Sequence, residues 1–201
     1  MRKIEKILIG TNNIGKYTEI RDLLPKKVKK YSPQEFKILS PDETGNSFEE
    51  NSFLKASYFS KKTNLACLSD DSGLEIDILK GAPGIYSSRW SGKKNNFDLA
   101  INRIFKEMKI IREDWENENT AKFVCCLTLF LPNGQNYLGK GVVNGRISKK
   151  KEEKMDLVMI LFLFHQDMKK LMEKWYLNTK CPLIIDTRLI SKLKIFLINL
   201  P

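Results

Sequence analysis

Long hydrophobic runs are missing from this 201-residue chain. Nothing in it reaches the ~18 consecutive apolar residues of a spanning helix, so no membrane span is expected. The start of the chain leads into a short apolar stretch, Ile7-Leu8-Ile9-Gly10. That falls short of a signal-peptide core of about 7–15 residues. Cysteine is scarce as well. The four cysteines, Cys67, Cys125, Cys126 and Cys181, have no CxxC spacing, which argues against a zinc ribbon or a disulfide framework. A cytoplasmic protein with reduced thiols is expected. Acidic residues are outnumbered, 24 against 35 basic ones, for a net charge of +11. Such a balance suits nucleic acid or polyphosphate. The lysines, however, fall in scattered pairs such as Lys26-Lys27 and Lys93-Lys94, without the interleaved aromatics that stack bases. Most of them are read as solubilising, and no nucleic-acid partner is expected.

What is present reads as one soluble α/β protein: a mixed central sheet flanked by helices, two-lobed with a cleft between the lobes. Ile4–Ile9 is a candidate first strand. Lys16–Leu24 has helical spacing, with Ile20, Leu23 and Leu24 on one face. A weak strand lies within Val28–Ser40. Ser47–Thr63 reads as an amphipathic helix with Phe48, Leu54, Tyr58 and Phe59 on its apolar face. Ala66–Leu68 is a short strand running into Asp70-Asp71. Gly81-Ala82-Pro83-Gly84 is a turn, and Phe97–Met108 a further helix. Ala121–Leu131 and Tyr137–Ile147 form a hairpin about Pro132-Asn133-Gly134.

Three segments carry chemistry. Gly10-Thr11-Asn12-Asn13-Ile14-Gly15-Lys16 joins a strand to a helix. Backbone N–H groups at a helix start attract phosphate, and Lys16 adds a mobile positive charge. The spacing is not that of a P-loop, and an ordinary junction is the plain alternative. In Asp42-Glu43-Thr44-Gly45-Asn46-Ser47-Phe48-Glu49-Glu50-Asn51 the first two carboxylates offer hard oxygen ligands for Mg²⁺. The same stretch also reads as a helix start capped by Asn46 or Ser47. The third segment is Asp70-Asp71-Ser72-Gly73-Leu74, continuing through Gly81-Ala82-Pro83-Gly84 to Tyr86-Ser87-Ser88-Arg89-Trp90. Adjacent carboxylates repel unless a cation lies near or one is protonated. A metal relieves that conflict and leaves one carboxylate free as a general base; a surface turn is the alternative.

At these three segments the sequence resembles the inosine/xanthosine triphosphate pyrophosphatases, a family that clears non-canonical purine nucleotides. The third segment is close to that family's long signature, DDSGLxVDxLxGxPGxYSxRxxG, closed here by Gly92. The TxNxxK start and the ETGxSFxENxxxKA segment match in order and spacing, and Phe123–Cys126 and Gly141–Ile147 fit its later hairpin. The resemblance covers residues 4–148. It implies that Thr11, Asn12, Asn13, Ile14, Gly15 and Lys16 hold the triphosphate, with Lys55 beside it and Ser72 touching the substrate. It also implies that Asp71 is the proton acceptor and a metal ligand. Asp42 stands where the family has a metal-binding glutamate, and its shorter reach makes Glu43 the reserve. The implied cofactor is Mg²⁺, the substrate a purine nucleoside triphosphate such as ITP, dITP or XTP, and the products a monophosphate and pyrophosphate. A homodimer is the implied assembly.

The resemblance stops after Ser148. Residues 1–148 are therefore read as the pyrophosphatase domain that handles phosphate and metal. Residues 149–201 form an atypical tail in place of the base-recognition part, and the PRGxxGFGYDPxF stretch is absent. Met155–Leu161 can be encoded as ATG GAT TTG GTT ATG ATC CTN, and the same bases read from the G of the first codon give GFGYDP. The same offset restores motifs from Glu152-Glu153-Lys154, His165–Trp175 and Thr179–Asp186. A slip in the A-rich codons of Lys149-Lys150-Lys151 accounts for all of them. On that reading the single histidine, His165, is incidental. A divergent C-terminus is the alternative. Two other functional readings remain: a catalytically impaired remnant, and a basic nucleotide- or nucleic-acid-binding protein.

Overall fold

The computed structural model describes residues 4–90, 92 and 97–147. The expectations for residues 149–201, including the tail motifs and His165, lie outside these residues. The first strand, β1 (Lys6–Ile9), buries Ile7, Leu8 and Ile9 completely. It leads into α1 (Ile14–Leu23), where the Asn13 side chain caps the helix by accepting from the Lys16 backbone N–H. Ile20 and Leu23 are the buried residues of α1. Strand β2 (Lys29–Tyr31) occupies only a short part of the expected stretch, because Ser32-Pro33 begins a 3-10 turn over Pro33–Phe36.

Helix α2 (Phe48–Thr63) is capped by Ser47 rather than Asn46, with Glu49 and Glu50 in its first turn and Lys61 and Lys62 in its last. Asn64 ends it in the left-handed conformation, φ 55°. Its buried face differs from the expected apolar stripe. Phe48 and Phe59 are buried, but Leu54 and Tyr58 are only half-buried, and Asn51, Ser52, Lys55 and Ser60 take places inside. These polar groups have partners there: Ser52 Oγ meets Thr128 Oγ1 at 2.8 Å, and Ser60 Oγ donates to the Leu65 carbonyl.

The largest departure is β3, which runs Ala66–Ile76 rather than stopping at Leu68. It is zipped along its length to β4 (Thr120–Phe130), from Cys67 opposite Phe130 to Ile76 opposite Ala121. Asp70 and Asp71 therefore lie inside a buried strand, and the surface-turn alternative falls. Helix α3 (Phe97–Ile111) packs Ile104 and Met108 against Ile76, Leu79 and Trp115. β4 turns at Pro132-Asn133-Gly134 into β5 (Asn136–Arg146) as expected.

The strands form one open, mixed sheet in the order β2-β1-β3-β4-β5. β1 is parallel to β2 and β3, while β3, β4 and β5 are antiparallel. One face packs Ile7, Ile9 and Leu68 with Ile20 and Leu23 of α1. The other sets Leu8 and Cys67 against Phe59 of α2. The described residues do not define the two lobes and cleft expected from the sequence. None of their helices is long and apolar enough to cross a membrane.

Candidate active site

β1 ends at Ile9, opposite Leu68 of β3. Beyond that pair β3 continues alone on this side, at the carboxyl end of the parallel strands, where open α/β sheets place their ligands. The Gly10–Asn13 loop folds over the same end. The Gly10 N–H donates to the Leu68 carbonyl at 2.8 Å. A Cβ on Gly10 would come within 2.1 Å of Ser69 Oγ, so only glycine lets the loop lie this close.

Consecutive strand residues face opposite ways, which separates the two aspartates. Asp70 lies on the α1 face. Its Oδ2 receives the Lys16 ammonium at 2.6 Å, and Lys16 also donates to Ser72 Oγ at 3.1 Å. Asp71 lies on the α2 face, where Lys55 Nζ reaches its Oδ1 at 3.3 Å and Glu43 Oε1 at 2.7 Å. The repulsion inferred from the sequence is thus relieved in part by facing and in part by one lysine for each carboxylate.

The electrostatics reflect burial. Burial opposes the Asp70 charge, but Lys16 and Lys55 outweigh it and hold its pKa below the usual carboxylate range. At Asp71 burial wins. Its pKa is raised, with Lys55 opposing and Glu43 adding to the rise. Burial likewise opposes the Glu43 charge, yet Lys55 and Arg89 pull its pKa down. Glu19, on α1, is pushed up to about 7 by burial and by Asp70.

The remaining sequence candidates are less enclosed. Thr11 is nearly buried and accepts from the Asn13 N–H. Asn12, Asn13 and Gly15 are exposed, and Ile14 is 79% exposed. Asn12 donates to Ser40 Oγ. Asp42 is exposed, whereas Glu43 is the carboxylate that faces Lys55. Sequence reasoning assigned no role to Asp70, Arg89 or Glu19. The first two stand inside the long third segment, so the signal was present; nothing in the sequence marks Glu19.

No three carboxylate, cysteine or histidine side chains form a ready metal cage among the described residues. Mg²⁺ does not require one. It is commonly held by one or two carboxylates, the rest of its shell coming from water and substrate phosphate. Asp70 Oδ1 and Asp71 Oδ2 are buried and lack hydrogen-bond partners. Acceptors left bare in this way are costly unless a cation or a proton completes them. On the α2 face the bare Asp71 Oδ2 therefore fits a hard divalent cation that arrives with a phosphate.

The model of the Ham1 family matches residues 7–170. The chain belongs to the Ham1 family. The match runs past Ser148, further than the sequence motifs alone. This Ham1 chain is 37% identical over 151 residues to a dITP/XTP pyrophosphatase of Rhizobium meliloti, covering 73% of this chain and 71% of that protein. It is 41% identical over 130 residues to the dITP/XTP pyrophosphatase of Rhodopseudomonas palustris, covering 64% and 62%. Among solved structures, a HAM1 protein from Coxiella burnetii superposes with a TM-score of 0.66 at 31% identity, over 72% of this chain and 74% of that one.

Proposed function

We propose that this Ham1 chain is built to hydrolyse non-canonical purine nucleoside triphosphates, of the dITP and XTP type, to monophosphate and pyrophosphate. The observation that carries the reading is Asp71. It is buried, raised in pKa, bare at Oδ2, and bridged to Glu43 by the Lys55 ammonium at the carboxyl end of the parallel strands. Its relatives, the dITP/XTP pyrophosphatases of Rhizobium meliloti and Rhodopseudomonas palustris, supply the substrate class.

Asp71 takes the proton from the attacking water, the role its raised pKa suits best. Lys16 and Lys55 are held in place by carboxylates and turn toward the triphosphate as it enters. The backbone from Thr11 to Gly15, at the start of α1, receives phosphate oxygens. Asp71 would hold Mg²⁺ with Asp42 beside it, and Glu43, paired with Lys55 and Arg89, stays in reserve. A cation bound there would neutralise phosphate charge and make the α-phosphorus more electrophilic. A cytoplasmic location rests on the cysteine pattern, which lacks CxxC spacing, and a homodimer on the family resemblance.

The test is pyrophosphate release with Mg²⁺, from ITP and XTP against ATP and GTP, by a protein whose reading frame is restored after Ser148. Asp71→Asn is expected to lower kcat by at least ~10²-fold, the scale of losing a general base. Its melting temperature should hold, because Asn keeps the shape of the side chain and an oxygen to accept from Lys55. Equal turnover by this variant would remove Asp71 from the mechanism.

A further inference from the structure

Both oxygens of the Glu43 carboxylate are taken by cations. Oε1 accepts from the Lys55 ammonium at 2.7 Å and Oε2 from the Arg89 guanidinium at 3.1 Å. Lys55 also reaches Asp71 Oδ1 at 3.3 Å, so its ammonium lies between the two carboxylates. Arg89 ends the Gly84–Arg89 turn. Ser87 fastens that turn to β3, accepting from the Leu74 N–H at 2.9 Å and donating to the Gly84 carbonyl at 2.7 Å. A Cβ on Gly73 would come within 2.4 Å of the same carbonyl, so the turn lies directly against the strand. Two cations from different elements, α2 and the turn, thus converge on one carboxylate.

These groups are close to charge balance. Lys16, Lys55 and Arg89 are matched by Asp70, Asp71 and Glu43. A balanced set has little net attraction for a polyanion, and its cations serve a triphosphate only when a carboxylate releases them. The carboxylates differ in how readily they can do so. Asp70 and Asp71 are fixed on a buried strand, their side chains 1% and 7% exposed, against 22% for Glu43. Glu43 stands on the loop before α2, which is tied downstream by the Gly45 N–H to Asn51 Oδ1 and the Asn46 N–H to Glu50 Oε2. Its neighbour Asp42 is exposed. Arg89 also donates to the Glu43 carbonyl at 3.3 Å, a contact that does not depend on the side chain. The carboxylate can therefore turn outward while the loop stays in place. A phosphate oxygen offers an ammonium or a guanidinium the same kind of charged acceptor as a carboxylate.

We propose that Glu43 is a resident counter-anion, which holds Lys55 and Arg89 in register and gives both up to the incoming triphosphate. Arg89 then becomes a further phosphate-binding residue beside Lys16 and Lys55. The proposal deepens the function proposed above and rests on it, since it needs a polyphosphate at this end of the sheet. It differs in sign from a ligand role for Glu43. Loss of a ligand weakens binding, whereas loss of a competing anion strengthens it.

The test titrates the 201-residue chain with inorganic tripolyphosphate by calorimetry in metal-free buffer. Glu43→Gln should tighten binding about fivefold, the effect of removing one like charge a few ångström away in a solvated site. Glu43→Ala should act in the same direction, and the melting curve of each variant checks that it folds. In the Glu43→Gln background Arg89→Gln should weaken binding by about fivefold or more. That loss should exceed the one seen with Glu43 present, where displacing the carboxylate offsets part of the gain from Arg89. Weaker or equal binding by folded Glu43→Gln overturns the proposal, as does an Arg89→Gln change without effect in that background. Lys16→Gln separates the two levels. If the parent binds tripolyphosphate and Lys16→Gln weakens it, the phosphate site stands whatever Glu43 does. If neither the parent nor Glu43→Gln binds it, the function proposed for the site fails and the counter-anion with it.

Discussion

Two neighbouring aspartates on one strand have become chemically different groups. Asp70 is paired tightly with Lys16 and held ionised, while Asp71 meets a more distant ammonium and is pushed toward the neutral form. Strand geometry makes the difference, since adjacent side chains meet different helices. The sequence exposed the pair but not this division, because facing depends on whether the residues lie in a strand or after it. Glu19 shows the same limit more sharply. Its identity in α1 is unremarkable, yet its Oε2 is buried without a hydrogen-bond partner, and burial with Asp70 raises its pKa to about 7. An acid whose folded pKa exceeds its unfolded value of 4.5 supports the fold below that value, and the support is lost as pH rises through about 7. Glu19→Gln should therefore leave the melting temperature unchanged at pH 4 and raise it by a few degrees at pH 8, the rise developing between pH 5 and 8. Scanning calorimetry across that range checks it. A variant that is less stable at pH 8 would show that the charged form has a partner.

At the level of elements, periodicity and punctuation read well. The hairpin about Pro132-Asn133-Gly134, the Ser47 cap and the α1 junction all lie within a few residues of expectation. Two things did not read. The length of β3 was hidden because Ser69-Asp70-Asp71-Ser72-Gly73 has poor strand propensity, and only pairing with β4 keeps it extended. The polar inner face of α2 was hidden because Asn51, Ser52 and Lys55 are buried for their partners rather than their hydrophobicity. Gly73 ties these elements together. Alanine there must displace the Gly84–Arg89 turn, since the nearest obstacle is a backbone carbonyl. Gly73→Ala should cost about 1–3 kcal/mol, the usual scale of overpacking, in urea unfolding. An unchanged urea midpoint would show that the turn yields to the added methyl group without cost.

On the scale of the whole molecule, chemistry is divided along the chain. Thr11 to Lys16, Asp42, Lys55 and Asp71 precede Ser148, and under the proposed function they would face groups common to every nucleoside triphosphate. Such contacts contribute binding without discrimination. Choosing one base over another takes polar groups set against its edge, and a site built that way can reject the wrong partner by 10⁴–10⁵. The motifs expected to supply them are absent from residues 149–201 as encoded, and we propose that a one-base slip in the codons of Lys149-Lys150-Lys151 removed them. β5 is one edge of the described sheet, and it leaves Leu138 40% and Val142 46% exposed. The chain as encoded should accordingly melt at low temperature and bind triphosphates weakly with Mg²⁺. Its kcat/KM for ITP and ATP should agree within about tenfold, against the far larger ratio that base-edge contacts give. Restoring the frame should raise both the melting temperature and the preference for ITP, and the gene should read GFGYDP one base out of register at Met155–Leu161. Cooperative, stable unfolding with strong ITP selectivity in the unaltered 201-residue chain would make the tail a working part of the enzyme. Base recognition would then have to come from residues that bear none of the family's motifs, and the slip would be refuted as a cause of lost function whatever its standing in the gene.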